Sequence, residues 1–112
     1  ELADTIRTVR RRAAEAGGLQ PGIFGDAGNG HPHCNYIGRD AAEVSRIEAV
    51  VERTLRDVVA GGGTVAAEHG IGKIKAKWLP LQFDGTQQRM LRAIKRELDP
   101  LGLMAPGNIL AT

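Results

Sequence analysis

Aromatic side chains make up only 4% of this chain of 112 residues, so Phe24, Tyr36, Trp78 and Phe83 each matter individually. The single cysteine, Cys34, excludes an internal disulfide and fits a reducing compartment such as the cytoplasm. No apolar run approaches membrane-spanning length, and no signal-peptide pattern opens the chain. Neither sign of charge dominates: 15 Lys and Arg stand against 13 Asp and Glu, a net +2. That near-balance argues against a dedicated nucleic-acid binder, which carries a basic stripe. The one local excess, Arg7, Arg10, Arg11 and Arg12, reads as the solvated side of a helix. There is no initial Met, and the first residues already read as helix, so a fragment or excised domain is expected. A chain of this length makes one domain at most, with a modest core.

What is present is organised by glycine and by helical periodicity. Leu2, Ile6, Val9, Ala13 and Ala16 recur at helical spacing up to the stop at Gly17-Gly18. Ile23-Phe24 predicts a short strand, followed by a glycine-rich turn over 25–30. A second strand over 31–37 puts His31, His33, Asn35 and Ile37 on one face and Cys34 and Tyr36 on the other. Pro32 confines that strand to an edge or an irregularity. A long helix over 40–60 is capped by Asp40, with Glu43 reaching back. Val44, Ile47, Val51, Leu55 and Val58 form its expected buried stripe. Glu52 and Arg56 are an exposed pair at one-turn spacing. Gly61-Gly62-Gly63 turns the chain into an expected strand at Thr64. A short helix over 73–79, closed by Pro80, comes next. A final helix then starts at Asp84 or Thr86, carries Met90, Leu91, Ile94 and Leu98, and ends at Asp99-Pro100. The class is α+β: a small antiparallel sheet covered by helices, with a C-terminal helical tail.

Two polar clusters carry the chemistry. Thr64-Val65-Ala66-Ala67-Glu68-His69-Gly70-Ile71-Gly72 sets a carboxylate beside an imidazole, with glycines clearing the space after them. On a strand the neighbours Glu68 and His69 point to opposite faces and serve different partners. An imidazole there is suited to take a proton at neutral pH, although a histidine bonded to backbone carbonyls reads the same way. Upstream, Asp26, His31 and His33 lie within one glycine-rich stretch. Asp26, His31, His33 and Glu68 could surround one divalent cation, zinc or, with more oxygen ligands, manganese or iron. The plainer reading is a set of surface or hydrogen-bonded histidines. Cys34 reads as a small buried thiol. Gly61-Gly62-Gly63 lacks the ending of a phosphate loop and precedes no helix. Lys73, Lys75 and Lys77 read as a solvated face from which one lysine can bind a substrate carboxylate.

Three stretches in order carry a resemblance that covers most of the chain from about Ile23 onward. Phe24-Gly25-Asp26-Ala27-Gly28-Asn29-Gly30-His31-Pro32-His33 is similar to F-G-H-x-G-D-G-N-x-H. Thr64 to Gly72, with Lys75 and Leu79, is similar to S-x-E-H-G-I-G-x-x-K-x-x-x-L. Leu98-Asp99-Pro100 through Ala105-Pro106-Gly107-Asn108 is similar to D-P-x-x-x-x-N-P-G-K. Together they resemble the C-terminal part of FAD-linked oxidases of the vanillyl-alcohol oxidase type. That group includes D-lactate dehydrogenases, the glycolate oxidase flavoprotein subunit and D-2-hydroxyglutarate dehydrogenases.

The resemblance implies one C-terminal segment, residues 1–112, forming part of a substrate (cap) domain of an FAD-dependent 2-hydroxy-acid dehydrogenase. It implies His69 as the catalytic base, Gly70, Gly72 and Asn108 against the flavin, and Lys75 toward the substrate. It implies Glu68 and His33 as metal ligands, with His31 and Asp26 completing the set. Asp26 stands where the family has a histidine, and Ala105 where it has an asparagine. The family's FAD-binding domain lies N-terminal, so the segment alone is expected to be inactive. The rival readings are a self-associating, homodimeric module that keeps the fold, and a small free-standing metal-binding domain.

Overall fold

The computed structural model describes residues 2–110. The chain divides into two units, Glu1–Gly61 and Gly62–Thr112.

In the first unit, α1 (Leu2–Glu15) buries Val9 and Ala13 from the expected apolar stripe. Gly17 and Gly18 stop it in left-handed conformations (φ +89° and +75°), which a residue without Cβ adopts without penalty. Their amides and that of Leu19 then take up the last free carbonyls, those of Ala13 and Ala14. Two strands follow, β1 (Gly22–Asp26) and β2 (His31–Asn35), joined by a 3-10 turn over Ala27–Asn29. Among the described residues they form one two-stranded antiparallel sheet, so both are edges and Pro32 is tolerated. The helix α2 (Ala41–Ala60) is capped by Asp40, whose carboxylate accepts from Glu43 N. Glu43 does not return to Asp40. Its carboxylate accepts from Arg39 N at 2.8 Å.

The buried line of α2 differs from the expected one. Glu43 and Val50 are buried, while Val44 is 48% exposed. Asp57 receives two hydrogen bonds from the Arg12 guanidinium of α1, at 2.9 and 3.1 Å, while Val50 and Ile47 pack with Ala13. Arg12 is therefore half-buried rather than part of a solvated face. Glu43 is tolerated inside because Arg39 and Arg46 pair with it. The core proper is Ala13, Leu19 and Val50, with Ala16, Tyr36 and Ile47 packed against it. Glu52 and Arg56 form the expected surface pair at 2.7 Å.

The second unit has no strand among its described residues. Residues 65–69 form bends and a turn. The Thr64 hydroxyl accepts from Ala67 N at 2.9 Å, and Val65 N donates to the Gln82 side chain at 2.8 Å, so side chains replace ladder partners. Ala67 has φ +48°, which breaks extended geometry outright. A 3-10 helix over Ala76–Leu81 contains Pro80 rather than ending at it. Its bonds are too few for one missing amide to disrupt: Trp78 N bonds Lys75 O before the proline, and Gln82 N and Phe83 N bond Leu79 O after it. Val65, Trp78 and Leu79 are the buried apolar residues of this unit. The helix α3 (Gly85–Leu98) begins with a full capping box between Asp84 and Gln87. Its apolar side is present but uncovered: Met90, Ile94 and Leu98 are all exposed.

Candidate functional site

In the β1–β2 hairpin, Phe24 lies opposite His33 and Asp26 opposite His31. Directly opposed residues share a face, as do residues two apart on a strand. Asp26, Phe24, His31 and His33 thus belong to one face. The Phe24 ring stacks on the His33 imidazole, centroids 5.2 Å apart and 14° from parallel. His31 meets His33 edge-on at 5.1 Å. Gly25 makes this approach possible. At φ +124°, a Cβ there would stand 2.7 Å from His33 Cδ2 and 2.8 Å from His31 O. The two imidazoles are near enough to offer nitrogens to one cation.

Cys34 and Tyr36 occupy the other side of the strand. Cys34 is half-buried rather than fully buried, and burial pushes its thiol above the usual range, which favours the protonated form. Burial also raises the Tyr36 phenol, with a smaller contribution from Cys34.

In the second unit, Glu68 and His69 sit on the turn after Ala67 rather than on a strand. Their side chains do not point to opposite faces: Glu68 Oε1 lies 3.6 Å from His69 Nε2, and both are more than half exposed. Gly70 and Gly72 follow at φ +72° and +58°. Lys75 Nζ donates to Val65 O and Ala66 O at 3.3 and 3.4 Å, tying it to the start of the turn. Asn108 lies in the tail. The next residue, Ile109, donates its amide to Gly72 O at 2.9 Å. The structure thus gathers Glu68, His69, Gly70, Gly72 and Lys75 on one loop, with Asn108 adjoining it, and gathers Asp26, His31 and His33 on one hairpin.

Sequence reasoning missed Gln82 and Asp99. Nothing local distinguishes Gln82, because its role depends on a backbone amide 17 positions away. Asp99 reads from the sequence as a helix stop and as the first residue of the D-P match, yet it is buried at 8% exposure, which no periodicity announces.

The family described as FAD linked oxidases, C-terminal domain, matches residues 1–109. The glycolate oxidase subunit GlcD of Bacillus subtilis is 29% identical over 113 residues, covering 99% of this chain and 24% of the relative. A probable mitochondrial D-lactate dehydrogenase of Danio rerio is 36% identical over 90 residues, 79% of this chain and 18% of the relative. The D-2-hydroxyglutarate dehydrogenase of Stutzerimonas stutzeri is 30% identical over 92 residues, 79% of this chain and 20% of the relative. The chain therefore spans a quarter or less of the length of these relatives.

Proposed function

Because the chain belongs to the C-terminal domain family of FAD linked oxidases, we propose that it is the substrate-side segment of a flavoenzyme oxidising a D-2-hydroxy acid to the 2-oxo acid. Three relatives are named for glycolate, D-lactate and D-2-hydroxyglutarate, all 2-hydroxy carboxylates. The observation that carries the reading is the Glu68–His69 turn, an exposed imidazole beside a carboxylate with glycines clearing the approach.

In this reading His69 accepts the proton of the substrate hydroxyl. FAD, bound chiefly by the N-terminal part of the enzyme, supplies the hydride acceptor. Gly70, Gly72 and Asn108 let the flavin come close. The Lys75 ammonium has three donors; two carbonyls hold it in place, and the third is left for the substrate carboxylate. His31 and His33, with Asp26 on the same hairpin face, would hold a divalent cation (zinc, manganese or iron), which would supply Lewis acidity toward the substrate oxygens. The donor chemistry fits, since imidazoles and carboxylates suit those ions. The setting is cytoplasmic. No helix among the described residues is long and apolar enough to cross a membrane.

The test is the flavin-loaded enzyme carrying this segment, assayed on short 2-hydroxy acids. His69→Gln lowers kcat about a hundredfold to ten-thousandfold with KM little changed; an unchanged kcat overturns the assignment. Elemental analysis reads the cation, and a purified metal-free sample with full activity removes it. The 112-residue segment mixed with FAD should leave the flavin spectrum unshifted, and tight stoichiometric binding would refute the need for the N-terminal part.

A second reading rests on the exposed apolar residues Met90, Ile94, Leu98, Leu101, Leu103 and Met104. That surface needs a cover, either the remainder of the enzyme or a second copy of the segment. Sedimentation of the segment separates the two, a monomer excluding the second copy.

A further inference from the structure

The loop holding Glu68 and His69 is tied at its start by side chains and at its end by the tail. Val65 N bonds the Gln82 side chain, the Val65 and Ala66 carbonyls accept from Lys75, and Ile109 N bonds Gly72 O. The last of these ties depends on where the tail runs. At the end of α3, Asp99 Oδ1 accepts from Leu103 N at 2.9 Å and Oδ2 from Met104 N at 3.0 Å. The Lys95 ammonium donates both to the same carboxylate and to the Met104 carbonyl. Beyond this knot the tail passes through Ala105 at φ +45° and Ile109 at φ +60°. A β-branched residue in that region is costly and persists only where its surroundings hold it.

We propose that Asp99 is a positioning residue: by knotting the first turn of the tail it directs Ile109 onto Gly72 and so sets the geometry of the loop bearing Glu68 and His69. The proposal rests on the function proposed above only for its catalytic consequence. Charge-assisted bonds from one carboxylate to two amides and an ammonium are stiff and directional. Removing the charge leaves the tail free to leave Gly72 while α3 keeps its own bonds.

The experiment is amide hydrogen exchange on the 112-residue chain. Asp99→Asn raises exchange about tenfold or more at Ile109, and also at Ala67 and Lys75, whose amides bond Thr64 Oγ1 and Ile71 O. Val50 in α2 stays unchanged. Faster exchange at Ile109 with Ala67 and Lys75 unmoved overturns the proposal. Lys95→Met keeps the carboxylate and its two amide donors, so it gives a smaller rise at the same three residues. If Asp99→Asn fails to fold, a Lys95→Met variant without that rise is the refutation. In the flavin-loaded enzyme carrying the segment, Asp99→Asn lowers kcat about tenfold with KM unchanged. Faster loop exchange in an enzyme that oxidises no 2-hydroxy acid sinks the proposed function and leaves the positioning role standing. Full kcat with an unmoved loop does the reverse.

Discussion

The two units hold their shape by different means. The first is built from two helices sharing a small core, clasped by the Arg12–Asp57 pair, and its regular elements account for most of its described residues. The second has one long helix that buries none of its residues, and its loops are held by single side chains bonded to backbone: Gln82 on Val65, Lys75 on two carbonyls, Asp99 on two amides. All three non-glycine residues with positive φ among those described, Ala67, Ala105 and Ile109, lie in the second unit. Periodic packing gives a stiff support, whereas specific hydrogen bonds let a loop take a shape that packing alone would not select. The histidine and carboxylate with the proposed chemistry sit on the loop of the second kind.

Substitutions can break this contrast. The largest effect is expected in the core of the first unit, where Val50→Ala costs about 2 kcal/mol of stability by urea unfolding. Met90→Ala, on the uncovered face of α3, stays within about 0.5 kcal/mol in the isolated segment. Equal losses would mean that α3 is packed after all. Next comes Gln82→Ala. It orphans the amide of buried Val65, costs about 1–2 kcal/mol, and frees that amide to exchange.

The third effect depends on pH. The Arg12 guanidinium holds the Asp57 carboxyl below its usual range, and Arg11 and Arg12 do the same for Glu15. A carboxyl depressed in the folded state contributes fully above its unfolded pKa of about 4 and loses that contribution as the pH falls through the lower folded value. Thermal unfolding of the first unit should therefore weaken in acid from about pH 4 downward. Asp57→Asn should be weaker at pH 7 and flatter below pH 4; an unaltered acid limb would show that the clasp contributes nothing. The smallest effect sharpens the same picture. The Tyr36 hydroxyl is buried and has no hydrogen-bond partner among the described residues, so Tyr36→Phe should be neutral or stabilising by up to about 1 kcal/mol in the same assay.

How much of this was legible in the sequence follows the same division. Helix limits came through because capping and periodicity are local: α1, α2 and α3 begin and end within a residue or two of the expected places. The hairpin came through as well, with its histidines on one face. The face of α2 did not, because it includes a buried Glu43 whose charge is met by Arg39 and Arg46, and apolar periodicity does not register a paired charge. The strand expected at Thr64 was a misreading of four small or apolar residues. Gly63 before them and a hydroxyl within them favour a turn once Gln82 takes the Val65 amide. Of the candidate site, the residue types and their grouping could be read from motifs. That Glu68 and His69 approach each other, rather than facing apart, depends on the backbone at Ala67 and could not be.

The lone tryptophan, Trp78, is buried in the second unit beneath the Lys77 ammonium, 4.7 Å from its ring centroid, while the lone tyrosine packs against the core of the first. Indole emission, excited selectively, therefore reports one unit, and phenol absorbance the other. The protein carries its own pair of optical labels, and the order in which its two parts lose their structure can be followed in a cuvette without attaching any dye.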